Sequence, residues 1–132
     1  MVTGLQHVLV LSDDIDSTRD FYRDVVGMSV GPRPPLEFPG YWLYAGAVPC
    51  LHIADRTAYR AHAGMLGLPV APAGSADGPI DHVAFASTGY DEALAALAQR
   101  GLSAVPNTVP GVQRQLFIDD PNGVRVELNF PI

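Results

Sequence analysis

One spacing recurs along this sequence and constrains its fold more than any other feature. The same 75 residues separate His7 from His82 and His52 from Glu127. Each half also has the same order of segments, with a β-forming run first, a helix-forming run second and a β-hairpin last. A repeat of this length indicates two copies of one supersecondary unit, neither of which can bury its sheet alone. We therefore predict an α+β fold made of two paired units.

Local signals set the boundaries of the first unit, residues 1–54. A strand is predicted over 5–11, and the N-cap residues after it open an amphipathic helix that closes at Gly27. A hairpin follows over 41–53, where two β-rich segments flank an Ala-Gly-Ala turn. These signals predict a strand, a helix and further strands.

The second unit, residues 80–132, repeats that order. A strand is predicted over 81–86, a helix over 90–100 and a hairpin over 114–128 that turns at Asp-Pro-Asn-Gly. Between the units, residues 55–79 are rich in Gly, Pro and Ala and predict a connector with one short helix.

Composition excludes several classes of partner. The chain has 132 residues, a formal net charge of −6 and eight basic residues, all of them arginine. It offers no basic face for nucleic acid or for an anionic membrane. Its apolar runs are far shorter than the ~20 residues of a membrane-spanning helix, and a basic signal-peptide flank is missing. With the single cysteine Cys50, these features lead us to expect a cytoplasmic protein without an internal disulfide.

The chemistry-bearing residues fall on repeat-related positions. His7 and His82 begin the first strand of each unit, and His52 and Glu127 lie in the last strand of each unit. If the units meet edge to edge with pseudo-twofold symmetry, three imidazoles and one carboxylate converge, and such a set suits a divalent transition metal. The alternative, that each histidine is a packed strand residue with one hydrogen bond, stays open.

The order of these motifs resembles the vicinal oxygen chelate superfamily, which includes glyoxalase I, extradiol dioxygenases, fosfomycin-resistance enzymes and bleomycin-binding proteins. The resemblance rests on His7, Asp20-Phe21-Tyr22, Asp81-His82-Val83, the Asp-Pro-Asn-Gly turn and Val126-Glu127-Leu128. It implies two βαβββ modules in one curved mixed sheet, and it maps the family's metal positions onto His7, His52, His82 and Glu127. It further implies a small-molecule substrate, a homodimer and a divalent metal, with Fe²⁺ favoured over Ni²⁺, Zn²⁺, Mn²⁺ or Co²⁺.

Three functions remain open within that resemblance. An extradiol-dioxygenase-like enzyme, which we favour, would use His7, His82 and Glu127 as ligands and His52 as acid and base. A lyase or isomerase of the glyoxalase or epimerase type would bind metal through all four residues, but Leu11 stands where glyoxalase I holds glutathione with arginine. A metal-free binding or resistance protein is the third.

Side chains around these positions predict a substrate pocket. Aromatic residues after a Pro-rich loop suit a planar or apolar ligand, and Arg33 or Arg114 could steer an anionic group. The predicted pocket residues are Leu9, Phe38, Tyr41, Trp42, Arg114 and Phe117.

Overall fold

The computed structural model describes residues 7–65 and 82–132, together with all their side chains except that of His82. The chain divides into two compact units, Met1–Ala76 and Asp77–Ile132. Each unit contains one four-stranded mixed sheet with helices, so the predicted α+β class with two βαβββ modules is confirmed.

The elements of the first unit are β1 (Val8–Ser12), α1 (Ile15–Phe21), β2 (Ser29–Gly31), β3 (Gly40–Ala45), β4 (Val48–Asp55) and α2 (Arg56–Met65). Its strands form a sheet in the order β1-β4-β3-β2. Strands β1 and β4 run parallel, whereas the other neighbouring pairs run antiparallel.

Helix α1 begins and ends where its sequence signals predict. The Asp14 carboxylate accepts a hydrogen bond from the backbone N–H of Ser17 at 3.1 Å, which satisfies one donor of the first turn. After Phe21 the helix widens into a π-helical turn over Tyr22–Val26, and Gly27 ends it at a φ of 87°. A positive φ of this kind favours glycine, which carries no Cβ.

The elements of the second unit are β5 (His82–Ala86), α3 (Tyr90–Gln99), β6 (Val105–Val109), β7 (Gln113–Asp119) and β8 (Arg125–Pro131). The unit repeats the topology of the first, with the strand order β5-β8-β7-β6. Strands β5 and β8 are parallel, and the remaining pairs are antiparallel.

Each sheet has one apolar face and one face of mixed character, because side chains alternate along a strand. The apolar faces are buried and form the cores of the two units. In the first unit the core includes Val10, Phe21, Tyr22, Leu43, Leu51 and Ile53, and in the second it includes Leu97, Leu116, Ile118, Val126, Leu128 and Phe130.

We call the other face of each sheet its far face. In the first sheet it carries Leu9 of β1, Trp42 of β3 and His52 of β4, and His52 is the register partner of the other two. In the second sheet Phe117 lies opposite Glu127. The pairs Trp42–His52 and Phe117–Glu127 are thus equivalent, as the 75-residue repeat predicts.

Two predicted segments fall partly outside the described residues. The predicted strand over 5–11 appears as β1, with His7 just before it, and residues 1–6 are not described. The predicted connector begins with α2, at the place of the expected short helix, and its remainder from residue 66 onward is also outside the described part.

Candidate functional site

His52 lies in a column of three aromatic rings on the far face of the first sheet. Its imidazole stacks on the Trp42 indole with centroids 4.1 Å apart and planes 5° apart. On the other side it stacks on the His7 imidazole, at 4.0 Å and 15°. Register explains the arrangement, because Trp42 pairs directly with His52 and His7 lies two residues before Leu9, the β1 partner of His52.

This column restricts how the two histidines can bind a metal. An imidazole binds through a nitrogen lone pair in the plane of its ring, at about 2.0–2.1 Å for zinc. Two rings that are nearly parallel and 4.0 Å apart share no point that lies in both ring planes within that reach. In this arrangement His7 and His52 do not direct their lone pairs at the same ion.

The hydrogen bonding and charge of His52 follow from its surroundings. Its Nε2 lies 3.1 Å from the Pro49 carbonyl oxygen, which can only accept, so Nε2 carries the proton and Nδ1 is the acceptor in the neutral ring. Burial lowers the pKa of His52 below its usual 6.5, and the charges of His7 and Arg33 act in the same direction, although the Pro49 bond opposes them. The neutral imidazole is therefore favoured, as a proton acceptor requires.

Glu127 is the carboxylate on the far face of the second sheet. It is 7% exposed, and its Oε1 accepts a hydrogen bond from Nε2 of Gln115 at 2.7 Å. The same Gln115 nitrogen lies 2.9 Å from Oδ1 of Asn129, and the Gln115 oxygen accepts from Asn107 at 2.6 Å. An amide row on β6, β7 and β8 thereby fixes the orientation of this buried carboxylate.

The donor set fits a divalent metal by its chemistry. Imidazole and carboxylate are the ligands of Fe²⁺ sites with two histidines and one acid. The side chain of His82 is outside the described part, although its backbone pairs with Arg125 in β8. Within residues 7–65 and 82–132, excluding that side chain, no three His, Cys, Asp or Glu side chains form a metal-holding group.

Two of the predicted pocket residues, Tyr41 and Arg114, lie on the helix side of their sheets. The Tyr41 hydroxyl donates to Asp16 of α1 at 2.6 Å and accepts from Arg19 at 2.8 Å, and the Asp16 bond raises its pKa. The guanidinium of Arg114 lies 3.3 Å from the ring centroid of Tyr90 in α3. Neither side chain joins the far-face residues.

The remaining predicted pocket residues are distributed differently. Leu9 and Trp42 lie beside His52 on the far face, and Phe117 lies opposite Glu127 in the second unit. Phe38 packs edge-on against Tyr59 of α2, with centroids 5.2 Å apart. Its ring also lies beside that of His62, with centroids 5.5 Å apart.

A cavity of about 390 Å³ opens beside Phe117 in the second unit. Its wall combines apolar surface from Val105 and Phe117 with the charges of Asp119 and Arg125. Its size lies within the range of small-molecule pockets.

Sequence reasoning missed Gln115. Gln115 stands two residues before Phe117 on the same strand, so period-2 alternation alone would have placed it on the face of Glu127. Arg33, which the sequence offered as a candidate for an anionic group, follows β2 in a Pro-rich loop.

Within the described residues, no helix has both the length and the apolar character needed to cross a membrane.

Comparison with known proteins identifies relatives of the whole chain. Residues 4–128 match the sequence model of the Glyoxalase/Bleomycin resistance protein/Dioxygenase superfamily. No curated protein matches the sequence.

Solved structures similar to this one include three with different roles. A glyoxalase family protein from Bacillus anthracis is 23% identical, with a TM-score of 0.71 over 100% of this chain and 98% of that one. The antibiotic-binding protein TnmS3 from Streptomyces sp. CB03234 is 21% identical, with a TM-score of 0.70 over 99% and 98%. A lactoylglutathione lyase from Agrobacterium tumefaciens is 19% identical, with a TM-score of 0.63 over 98% and 94%. At these identities the likeness establishes the fold alone.

Proposed function

Since this chain belongs to the glyoxalase/bleomycin resistance protein/dioxygenase superfamily, we propose that it is a metal-dependent enzyme acting on a small molecule with two neighbouring oxygens. The proposed ligands are His7, His82 and Glu127, and Fe²⁺ is the favoured ion. When bound, the ion would hold the two substrate oxygens and stabilise charge on them as a Lewis acid.

The observation that carries this proposal is the stacking of His52 on His7. Because the stacked rings do not direct their lone pairs at one ion, we infer that a site that uses His7 leaves His52 outside the ligand set. His52 then has a neutral ring whose Nδ1 can accept a proton. Stacking on Trp42 orients the plane of this ring, and its Nε2 is hydrogen-bonded to the Pro49 carbonyl oxygen. A site with two histidines and one carboxylate as ligands, and a separate histidine as acid and base, favours the extradiol-dioxygenase type over a four-ligand lyase or isomerase.

Gln115 supports the same assignment from the second unit. Its amide holds Oε1 of Glu127 through a charge-assisted bond of 2.7 Å. A hydrogen bond of this kind orients a ligating carboxylate, and such partners commonly tune metal affinity.

The second candidate function is metal-free binding of a small molecule. It is favoured by the structural likeness to an antibiotic-binding protein and by the ring column, which offers a flat apolar surface. On this hypothesis His7 and His52 are packing residues, and Glu127 is a polar contact for the ligand.

Metal analysis separates the two candidates. Protein purified without chelator, then reconstituted anaerobically with Fe²⁺, should retain close to one equivalent of metal, and Glu127→Ala should lose it. Retention below about 0.2 equivalents for any transition metal would overturn the enzyme proposal.

His52→Ala then tests the reaction type. We expect the variant to keep its metal and to lose oxygen consumption in a screen with Fe²⁺ and a panel of catechols. Loss of metal from His52→Ala would instead indicate a fourth ligand, and with it a lyase or isomerase. Val48→Ala is the matched control, because it truncates an exposed side chain on the same strand as His52 without removing a nitrogen ligand or a predicted pocket residue.

A further inference from the structure

A row of side-chain amides lies beside Glu127 on the far face of the second sheet. Gln115 and Asn129 are register partners, and Nε2 of Gln115 donates to Oε1 of Glu127 at 2.7 Å and to Oδ1 of Asn129 at 2.9 Å. Asn129 follows Glu127 by two residues, so both side chains rise from the same face of β8. The two accepting oxygens are therefore neighbours that share one donor nitrogen.

The carboxylate of Glu127 decides which end of each amide faces its neighbour. A carboxylate can only accept, so Gln115 must turn its NH₂ group toward Glu127. The same nitrogen meets Asn129, which must therefore present its oxygen. That oxygen also accepts from Nε2 of Gln113 at 2.9 Å, so both of its lone pairs are engaged from β7. The row thus uses the oxygen of Asn129 and leaves its NH₂ group.

This NH₂ group is an accessible donor. In the part of the chain that the structure describes, Nδ2 of Asn129 makes no hydrogen bond, and there only Nε of Arg60 is both buried and without a partner. The register partners of Glu127 and Asn129 on β5 are Ala84 and Ala86, which are exposed and whose side chains have no polar atom. The β5 side chains at this level therefore offer the donor no acceptor and leave it open to a ligand.

The repeat indicates that the βαβββ module does not need these amides. The pair that stands 75 residues before Gln115 and Asn129 is Gly40 and Ala54, which are register partners in the first sheet. That sheet has the same strand order without either amide. The topology thus does not account for the row, and the orientation of Glu127 accounts only for Gln115.

We propose that Asn129 is a specificity-determining residue, whose NH₂ group donates to a carbonyl oxygen of the substrate. This inference rests on the proposed function, since it narrows the substrate of the same site to an aromatic compound with two neighbouring oxygens at one end and a carbonyl group at the other. Side chains two residues apart on a strand are separated by roughly 6.5 Å, which is comparable to the width of a substituted benzene ring. A carbonyl oxygen accepts without donating and, unlike a carboxylate, brings no second negative charge beside Glu127.

The experiment compares two catechols that differ in one acceptor oxygen. The probes are 3,4-dihydroxyacetophenone and 4-isopropylcatechol, whose acetyl and isopropyl groups have the same number of heavy atoms. Binding is measured by calorimetry without oxygen, so that neither probe is consumed, on the Fe²⁺-reconstituted protein and on the metal-free protein. The quantity of interest is the ratio of the two affinities, followed from the wild type to each variant, because this cancels the intrinsic difference between the probes.

Three variants test the role of the NH₂ group. Asn129→Asp keeps oxygens that accept from Gln113 and Gln115 but has no N–H to donate, whereas Asn129→Leu removes the polar atoms without adding charge. Gln99→Glu is the control, because it makes the same change in net charge at an exposed position at the end of α3. Circular dichroism and thermal unfolding establish that each variant is folded.

We expect the preference for the acetyl probe to fall by about fivefold in both Asn129 variants, as the loss of one neutral hydrogen bond requires. Gln99→Glu should keep the preference of the wild type. An unchanged ratio in both Asn129 variants, or a wild type that binds neither probe, would overturn the proposal. A fall in Asn129→Asp alone would show charge repulsion, and a fall in Asn129→Leu alone would show disruption of the row, and either result would also reject the donor role.

Failure of the proposed function has a different signature. A protein that retains no metal, but whose preference for the acetyl probe falls in both Asn129 variants, would keep the Asn129 subsite and reject the metalloenzyme. Retained metal and catechol turnover, with the same ratio in the wild type and both variants, would keep the enzyme and reject the Asn129 subsite.

Discussion

The substitution Gln115→Leu tests the amide row that holds Glu127. Gln115 is 7% exposed, and its side chain makes three hydrogen bonds, to Glu127, Asn129 and Asn107. Leucine has nearly the same volume but no polar atom. The change therefore leaves a buried carboxylate oxygen and two neighbouring amides without the partner they have in the wild type.

The expected loss of stability can be estimated by summing the contributions of these contacts. A hydrogen bond to a charged group is worth about 1.5–3 kcal/mol, and each neutral one contributes about 1 kcal/mol. Burial of the leucine methyl groups offsets about 1 kcal/mol, so the free energy of unfolding should fall by about 3 kcal/mol. For a chain of 132 residues, this corresponds to a fall in Tm of about 10 °C.

Denaturant and thermal unfolding of the metal-free protein measure this loss. The matched control is Gln113→Leu, because Gln113 lies on the same strand and face but its amide bonds to Asn129 instead of Glu127. That variant should lose no more than about 1 kcal/mol, since it breaks one neutral hydrogen bond. A difference of less than about 1 kcal/mol between the two variants would refute the proposed importance of the Glu127 contact.

Two further predictions concern the first unit. In metal-free protein, the His52 ring should titrate below 6.5 by NMR, because burial disfavours its charged form and the charge of His7 adds to that effect. The unfolded chain then takes up the proton first, so the free energy of unfolding should fall as the pH drops below 6.5; a pKa at or above that value would contradict the reasoning. Gly40→Ala would place a Cβ against the backbone carbonyl of Ile53 and should destabilise the chain by about 2–3 kcal/mol in denaturant unfolding. Gly31→Ala would place a Cβ against the ring of Tyr44, which can move, so it should lower the free energy of unfolding by less. Equal losses for the two variants would show that the backbone of β3 adjusts at Gly40 and would refute the expected clash.

Much of the fold could be predicted from local patterns. Helix α1 follows from its Asp14 cap and the glycine at its end, and the second hairpin follows from its Asp-Pro-Asn-Gly turn. Strands β2 and β6 were not predicted one by one from the sequence, because each is short or carries few buried residues. Each pairs with the next strand along the chain, β2 with β3 and β6 with β7.

The candidate site was predicted less completely. Tyr41 and Trp42 are adjacent in one strand, so their side chains must point to opposite faces, and only Trp42 lies beside His52. The same rule separates Arg114 from Phe117, which are three residues apart in β7. Applying strand alternation to each candidate would have assigned these two pairs from the sequence alone.

The sequence by itself determined the repeat, the two βαβββ modules and the faces on which His52 and Glu127 lie, because these depend on periodicities within each strand and helix. Tertiary structure decided the contacts between side chains that different strands bring together. Examples are the stacking of His7 on His52, the hydrogen bond from Gln115 to Glu127 and the position of Arg33 against Gly40. They depend on strand register, rotamer and loop path, which no short stretch of residues specifies.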